Sequence, residues 1–254
     1  MRARTAKRLL IVIGAVIVGS LALMAIAGDE EARELLGEQV LVWVFIGGLF
    51  LAAWWFKVRP RRAYHRDQAA RLGFTSAPGD PLRFLDRSFL FLRATAGMRD
   101  VENTSWGTWR GIDVTVFDYW FARSSDPTRD DYEYFTCATA PVPATWRRVA
   151  VLPTRLRTRI ADAVSLPRIT LEVGAFNRAF DVRTDDPRFA SALLDQRMLE
   201  WLLGLPDGSG FEIVDGTVLV HVPRRVDRDV EGALSTLVAL RDRIPPVVGS
   251  LFGR

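Results

Sequence analysis

Hydrophobic and polar positions fall into three regimes along the chain. Leu9 to Ala27 and Val40 to Phe56 are two apolar runs of 19 and 17 residues without a charge. Each has roughly the length a helix needs to cross a hydrocarbon core of about 30 Å. Behind them comes a polar stretch of helical character. From about Val101 the period changes to 2, and strands follow one another until helices return near Asp186.

The two apolar runs predict a transmembrane helical hairpin over residues 1–57, with spans 9–27 and 40–56. Arg2, Arg4, Lys7 and Arg8 precede the first span, and Lys57, Arg59, Arg61, Arg62, Arg66 and Arg71 follow the second. Asp29, Glu30, Glu31, Glu34 and Glu38 fill the turn between them. The positive-inside bias then places both termini and the main domain in the cytoplasm, at the plasma (inner) membrane. Trp54 and Trp55 close the second span, where indole rings favour the headgroup region. With Lys57, Arg59, Arg61 and Arg62 they form the expected membrane-surface group, and anionic inner-leaflet lipid is the expected partner. The first run also has the layout of a secretory signal, with Ala25-Ile26-Ala27 as a cleavage site. Its length favours an uncleaved helix.

Residues 58–79 are expected to be a basic juxtamembrane helix, Arg61 to Leu72 ending at Gly73, and a linker from Thr75 to Gly79. Residues 80–254 are expected to be a soluble α+β domain, mostly antiparallel. Asp80-Pro81 reads as a helix cap followed by proline at the first helical position. Leu82, Leu85, Phe89 and Leu92 then predict an amphipathic helix over Pro81 to Leu92. Strands are predicted over Val101 to Trp109, Ile112 to Phe121, Tyr132 to Ala140 and Arg147 to Leu152. Ile112, Val114, Val116, Asp118 and Trp120 face one way in the second strand; Asp113, Thr115, Phe117, Tyr119 and Phe121 face the other. Both sets are partly apolar, so this strand is predicted to be central. A short helix is expected over Thr154 to Val164, then a hairpin from Arg168 to Arg183 across Gly174-Ala175. Asp186-Pro187 starts a helix carrying Phe189, Leu193, Leu194, Met198, Trp201 and Leu202 to near Gly204. A further hairpin turns at Asp215-Gly216, a dipeptide suited to a type I′ turn. Asp227 is expected to cap the final helix, with the apolar tail unassigned.

Charge changes this picture little. The net charge is +4, but residues 1–71 carry +5 and residues 72–254 carry −1. The domain therefore lacks the basic footprint of a nucleic-acid binder. The single cysteine, Cys137, excludes an intramolecular disulfide, and with only His65 and His221 it cannot build a structural zinc site. No cofactor is implied.

Catalytic patterns are missing from the sequence. There is no Walker A loop, no GxGxxG after a strand, no GxSxG and no HExxH, and the only lysines are Lys7 and Lys57. His221 sits between valines on a predicted strand, the setting of an ordinary strand histidine. Cys137 reads as a small buried hydrophobe with no cation beside it in sequence. Asp113 and Asp118 lie on opposite strand faces, against a shared acid pair. The densest polar pattern holds Glu172, Asn177, Arg178, Asp181 and Arg188, a candidate polar pocket. Glu172 and Arg178 are expected to pair across the hairpin. Trp106, Trp109, Trp120, Trp146 and Trp201 are numerous, and an exposed subset would mark a partner surface.

Trp106 to Gly111 (Trp-Gly-x-x-Arg-Gly), Asp118-Tyr119, Leu171 to Val182 and Asp185 to Leu203 resemble uncharacterised membrane-anchored proteins of actinobacteria. Those share a FNRxFxV…DPRFA…LLxxRM core behind paired N-terminal spans. The family has no assigned reaction. The resemblance implies that Glu172, Asn177, Arg178, Asp186 and Arg188 define the fold. The expected function is a membrane-anchored cytoplasmic interaction or regulatory domain with a protein partner, ahead of an enzymatic role. The alternatives are a membrane-bound enzyme or small-ligand sensor using a carboxylate/arginine pocket near Glu172–Arg188, and an accessory subunit of a membrane complex.

Overall fold

The computed structural model describes residues 42–49, 59–93, 98–123, 132–156, 166–224 and 229–253. Chain contacts divide it into two units, Met1–His65 and Arg66–Arg254. In the first unit residues 42–49 are helical, and helix α1 (Arg59–Arg71) begins there. The membrane-spanning hairpin expected ahead of the domain is not supported. Among the described residues no helix is long and apolar enough to cross a membrane. Span 9–27 and the rest of span 40–56 lie outside the described residues, as do Trp54, Trp55 and Lys57.

The α+β part of the expectation holds. Among the described residues nine antiparallel strands form one sheet; from edge to edge they are β1 (Thr75–Ala77), β2 (Arg99–Trp109), β3 (Ile112–Ala122), β4 (Tyr132–Pro141), β9 (Thr217–Pro223), β8 (Gly210–Val214), β5 (Val149–Pro153), β7 (Phe180–Thr184) and β6 (Arg168–Ile169). Helix α1 ends in a Schellman motif. Gly73 takes a left-handed φ of 70°, and the Phe74 N–H donates to the Ala69 carbonyl. The expected linker contains a short edge strand, β1 (Thr75–Ala77), paired with β2 (Arg99–Trp109). The turn from β2 to β3 (Ile112–Ala122) uses Arg110 and Gly111, with φ of 50° and 76°. Asp215 and Gly216, at 47° and 70°, do the same between β8 (Gly210–Val214) and β9 (Thr217–Pro223). Two consecutive positive φ values are what a type I′ turn demands.

Strand β3 is central, and it is buried on both faces from Val116 to Ala122. It pairs with β2 and with β4 (Tyr132–Pro141). Phe117, Tyr119 and Phe121 join Phe84, Phe91 and Phe135 in the main core. Helix α6 (Asp229–Arg243) packs across β3, β4 and β9, burying Val230, Ala233, Leu234 and Leu237. Asp227 lies outside the described residues. The tail forms helix α7 (Pro246–Phe252), whose Phe252 meets Phe189 edge-on at 5.1 Å.

Three expected elements differ because side chains claim their backbone groups. Pro81 to Leu92 is not one helix. Asp80 accepts from the N–H groups of Phe84 and Leu85 at 2.8 and 2.9 Å, and Arg83 is left-handed at φ 54°. A 3-10 turn (Phe84–Asp86) and the four-residue helix α2 (Leu90–Arg93) result. Phe89, Leu90, Phe91 and Leu92 are all buried, which no single helical stripe allows.

The hairpin over Gly174-Ala175 is instead helix α3 (Gly174–Ala179) between β6 (Arg168–Ile169) and β7 (Phe180–Thr184). The Asn177 amide accepts from the Leu171 N–H at 3.1 Å and donates to its carbonyl at 2.5 Å. That side chain takes both backbone groups a strand partner would have used.

The helix starting at Pro187 is two helices, α4 (Pro187–Leu193) and α5 (Gln196–Leu203). Asp195 interrupts it, accepting from the Met198 N–H at 2.9 Å as a new cap. After β5 (Val149–Pro153) only a 3-10 turn, Thr154–Leu156, is described of the expected helix over Thr154 to Val164.

Candidate binding cleft

The residues expected to form a polar pocket occupy separate settings. Asp181 is fully buried on β7, with Arg168 Nε at 2.6 Å and Arg183 Nε at 2.9 Å. Asn177 is spent on the Leu171 backbone. Glu172, Arg178 and Arg188 are exposed. Arg178 lies in α3, so it does not face Glu172 across a hairpin. Asp186 accepts from the N–H groups of Arg188 and Phe189, a helix cap. Arg178→Ala and Glu172→Ala should therefore shift stability by no more than about 0.5 kcal/mol, the usual range for exposed positions without partners in the core. Chemical denaturation of each variant beside wild type measures this, and a loss above 2 kcal/mol would contradict it. Of the membrane-surface group, Arg59 opens α1, and Arg61 and Arg62 are half-buried, Arg61 lying 5.4 Å from the Tyr64 ring centroid.

The structure brings Cys137 and His221 opposite each other on β4 and β9. Both are fully buried. The imidazole is stacked on Phe91 at 3.7 Å and 3°, with Phe135 edge-on. Burial pushes His221 down to about 3 and holds the Cys137 thiol well above its usual range. An activated pair needs the reverse, a lowered thiol beside a base able to take its proton. Asp118 is likewise buried, accepting from Asn103 Nδ2 at 2.9 Å and Thr136 Oγ1 at 3.3 Å on the opposite face from Asp113.

A cleft of about 350 Å³ opens at the hairpin end of the sheet. Its floor is built by register. Trp106 on β2 faces Thr115 on β3, and Thr115 faces Thr139 on β4. Thr108, Asp113, Pro141 and Thr217 continue it toward the hairpin tips. Thr108 Oγ1 donates to Asp113 Oδ1 at 3.0 Å. Leu82, Phe84 and Arg87 form the roof. Phe84 is stacked on Phe117 at 4.3 Å, and the Arg87 guanidinium sits 4.7 Å from the Phe84 ring centroid. Gly107 is required where β2 meets Phe74, because a Cβ there would fall 2.4 Å from the Phe74 ring. The cleft is thus an aromatic and aliphatic slot with hydroxyls on its floor and one charge of each sign, Arg87 and Asp113. It lies away from the Glu172–Arg188 segment. The half-buried Trp106 was its one visible sign in the sequence, within the tryptophan-rich set that marks partner surfaces.

No protein-family model matches the chain, and no curated protein matches it. Among solved structures it is similar to the crystal structure of the mycobacterial trehalose monomycolate transport factor A, TtfA. The identity is 15% and the TM-score 0.48, over 72% of this chain and 96% of that one. A likeness at that level assigns neither family nor activity.

Proposed function

We propose that the chain is a non-catalytic interaction domain that works at the cytoplasmic face of a membrane and receives a protruding apolar segment of a partner protein in the cleft. The observation that carries this reading is the cleft itself, walled by Leu82, Phe84 and Trp106. Its volume is at the low end of small-molecule pockets, which bury most of their ligand's surface, whereas this slot opens on the surface. One cation in its roof, Arg87, and one anion in its floor, Asp113, ask for no net charge in the occupant. The basic residues from Lys57 to Arg71 draw the chain to anionic lipid, at about 1 kcal/mol per residue near the surface.

A photo-crosslinking residue at Thr108, in cells, tests the reading. It should give a discrete protein adduct that is missing when the residue is placed at Arg188 and is lost on Leu82→Asp. Equal adducts from both positions, or only a small-molecule adduct at Thr108, would overturn it.

A further inference from the structure

The roof of the cleft is fastened to the sheet at a distance from the cleft. The Asp80 carboxylate and the carbonyls of Asp80, Arg83 and Phe84 accept from the amides of residues 83–87, and Arg93 Nη2 reaches the Asp86 carbonyl at 3.5 Å, so the hydrogen bonds described for residues 80–87 stay within residues 80–93. Packing of Phe84 on Phe117 is its main hold on the floor. Its start is tied where Thr104 Oγ1 donates to the Gly79 carbonyl at 2.6 Å.

Its far end is gripped much harder. The Glu212 carboxylate on β8 accepts from the Leu90 N–H at 2.8 Å and from the Phe91 N–H at 3.1 Å. Arg148, just before β5, lies 3.5 Å from the same carboxylate and donates to the Ser88 carbonyl. Tyr119 Oη on β3 donates to the Leu92 carbonyl at 3.0 Å. Of the five residues 88–92, all but Phe89 thus have a backbone group taken by Glu212, Tyr119 or Arg148. Glu212 and Tyr119 are fully buried. A carboxylate buried this way is costly unless its hydrogen bonds are all made, so it holds one backbone position and no other. Only Ser88 and Phe89 separate Leu90 from Arg87 in the roof.

We propose that Glu212, Arg148 and Tyr119 are positioning residues, a latch that fixes the roof segment over the floor and so sets the width of the cleft for its occupant. This rests on the cleft being the binding site. The latch touches no occupant and acts through the backbone of Ser88 to Leu92.

The test is amide hydrogen exchange on the full chain, with binding of anilinonaphthalene sulfonate as a second readout. Glu212→Gln should speed exchange at Leu90 and Phe91. It should also speed exchange at Phe84 and Leu85 by about tenfold, the factor that loss of roughly one hydrogen bond's worth of local stability produces. Exchange in the β3–β4 pair should stay as in wild type, and the dye should bind about tenfold more weakly. Faster exchange confined to Leu90 and Phe91 would show that the latch holds only α2, and would overturn the proposal. If Glu212→Gln speeds exchange throughout, Tyr119→Phe, which removes one hydroxyl, decides by the same criterion. Failure of the cleft reading is separate: Leu82→Asp and Trp106→Ala would leave dye binding unchanged while the exchange coupling persisted.

Discussion

Acidification from pH 6.5 to 3 should cost the wild-type chain roughly 5 kcal/mol more stability than it costs a His221→Leu variant. The buried imidazole stays neutral in the fold down to about 3, whereas in the unfolded chain it takes a proton near 6.5. Below 6.5 the unfolded chain binds the extra proton, so this contribution is complete above 6.5 and is lost as pH falls toward 3. Glu212 runs the other way. Burial raises it from 4.5 to about 7, with the Leu90 and Phe91 amides and Arg148 pulling it back. Its native form therefore holds a proton that the unfolded chain releases. That contribution is present below 4.5 and lost as pH rises to 7, by roughly 3 kcal/mol.

Between 4.5 and 6.5 the two slopes oppose each other, and their joint contribution is nearly flat. His221→Leu should expose the Glu212 slope, with stability rising on acidification through that window. Glu212→Gln should expose the His221 slope, with stability falling. Urea midpoints at half-unit pH steps for the three proteins read this directly. Parallel curves for wild type and His221→Leu would mean the imidazole is not held neutral by burial.

What was legible in the sequence was what is decided locally. Arg110-Gly111 and Asp215-Gly216 announce tight turns because only residues tolerant of positive φ serve there. The alternation along β3 told which residues face together, and the central placement followed from both faces being apolar. Pro81 to Leu92 failed because its spacing fits a helix while its amides are claimed by Asp80 nearby and by Glu212, which is more than a hundred residues away. No local pattern records that second claim. Asn177 defeated the hairpin reading in the same manner, by putting a side chain where a strand partner was expected. The dense polarity from Glu172 to Arg188 is real, but it is divided among a buried ion cluster, a backbone clip, a helix cap and open surface. The cleft has no contiguous signature in the sequence, because its walls come from the roof segment, the β2–β3 hairpin, the end of β4 and the start of β9. Only the sheet order brings these together.

Phe91→Ala should be among the most damaging single truncations in the domain, at about 3–5 kcal/mol. Phe91 is fully buried and sits where three rings converge: His221 at 3.7 Å, Phe135 at 5.0 Å and Tyr119 at 5.4 Å. The backbone around it is pinned by Glu212 and Tyr119, so the segment is poorly placed to collapse into the hole, and an unrelaxed cavity carries the full cost. A second consequence separates this from ordinary core damage. With the phenyl ring gone, water gains access to the face of the imidazole, and the pKa of His221 moves back up toward 6.5. The acid limb of the stability curve should then become shallower in Phe91→Ala than in wild type. Phe91→Ala and His221→Leu should also be non-additive, the double variant losing less than the sum of the two, because each single change already breaks the same stack. Urea denaturation of the two single variants and the double variant at neutral pH measures the coupling. A cost for Phe91→Ala below about 1 kcal/mol, or strict additivity with His221→Leu, would show that the stack does not hold the segment to the sheet.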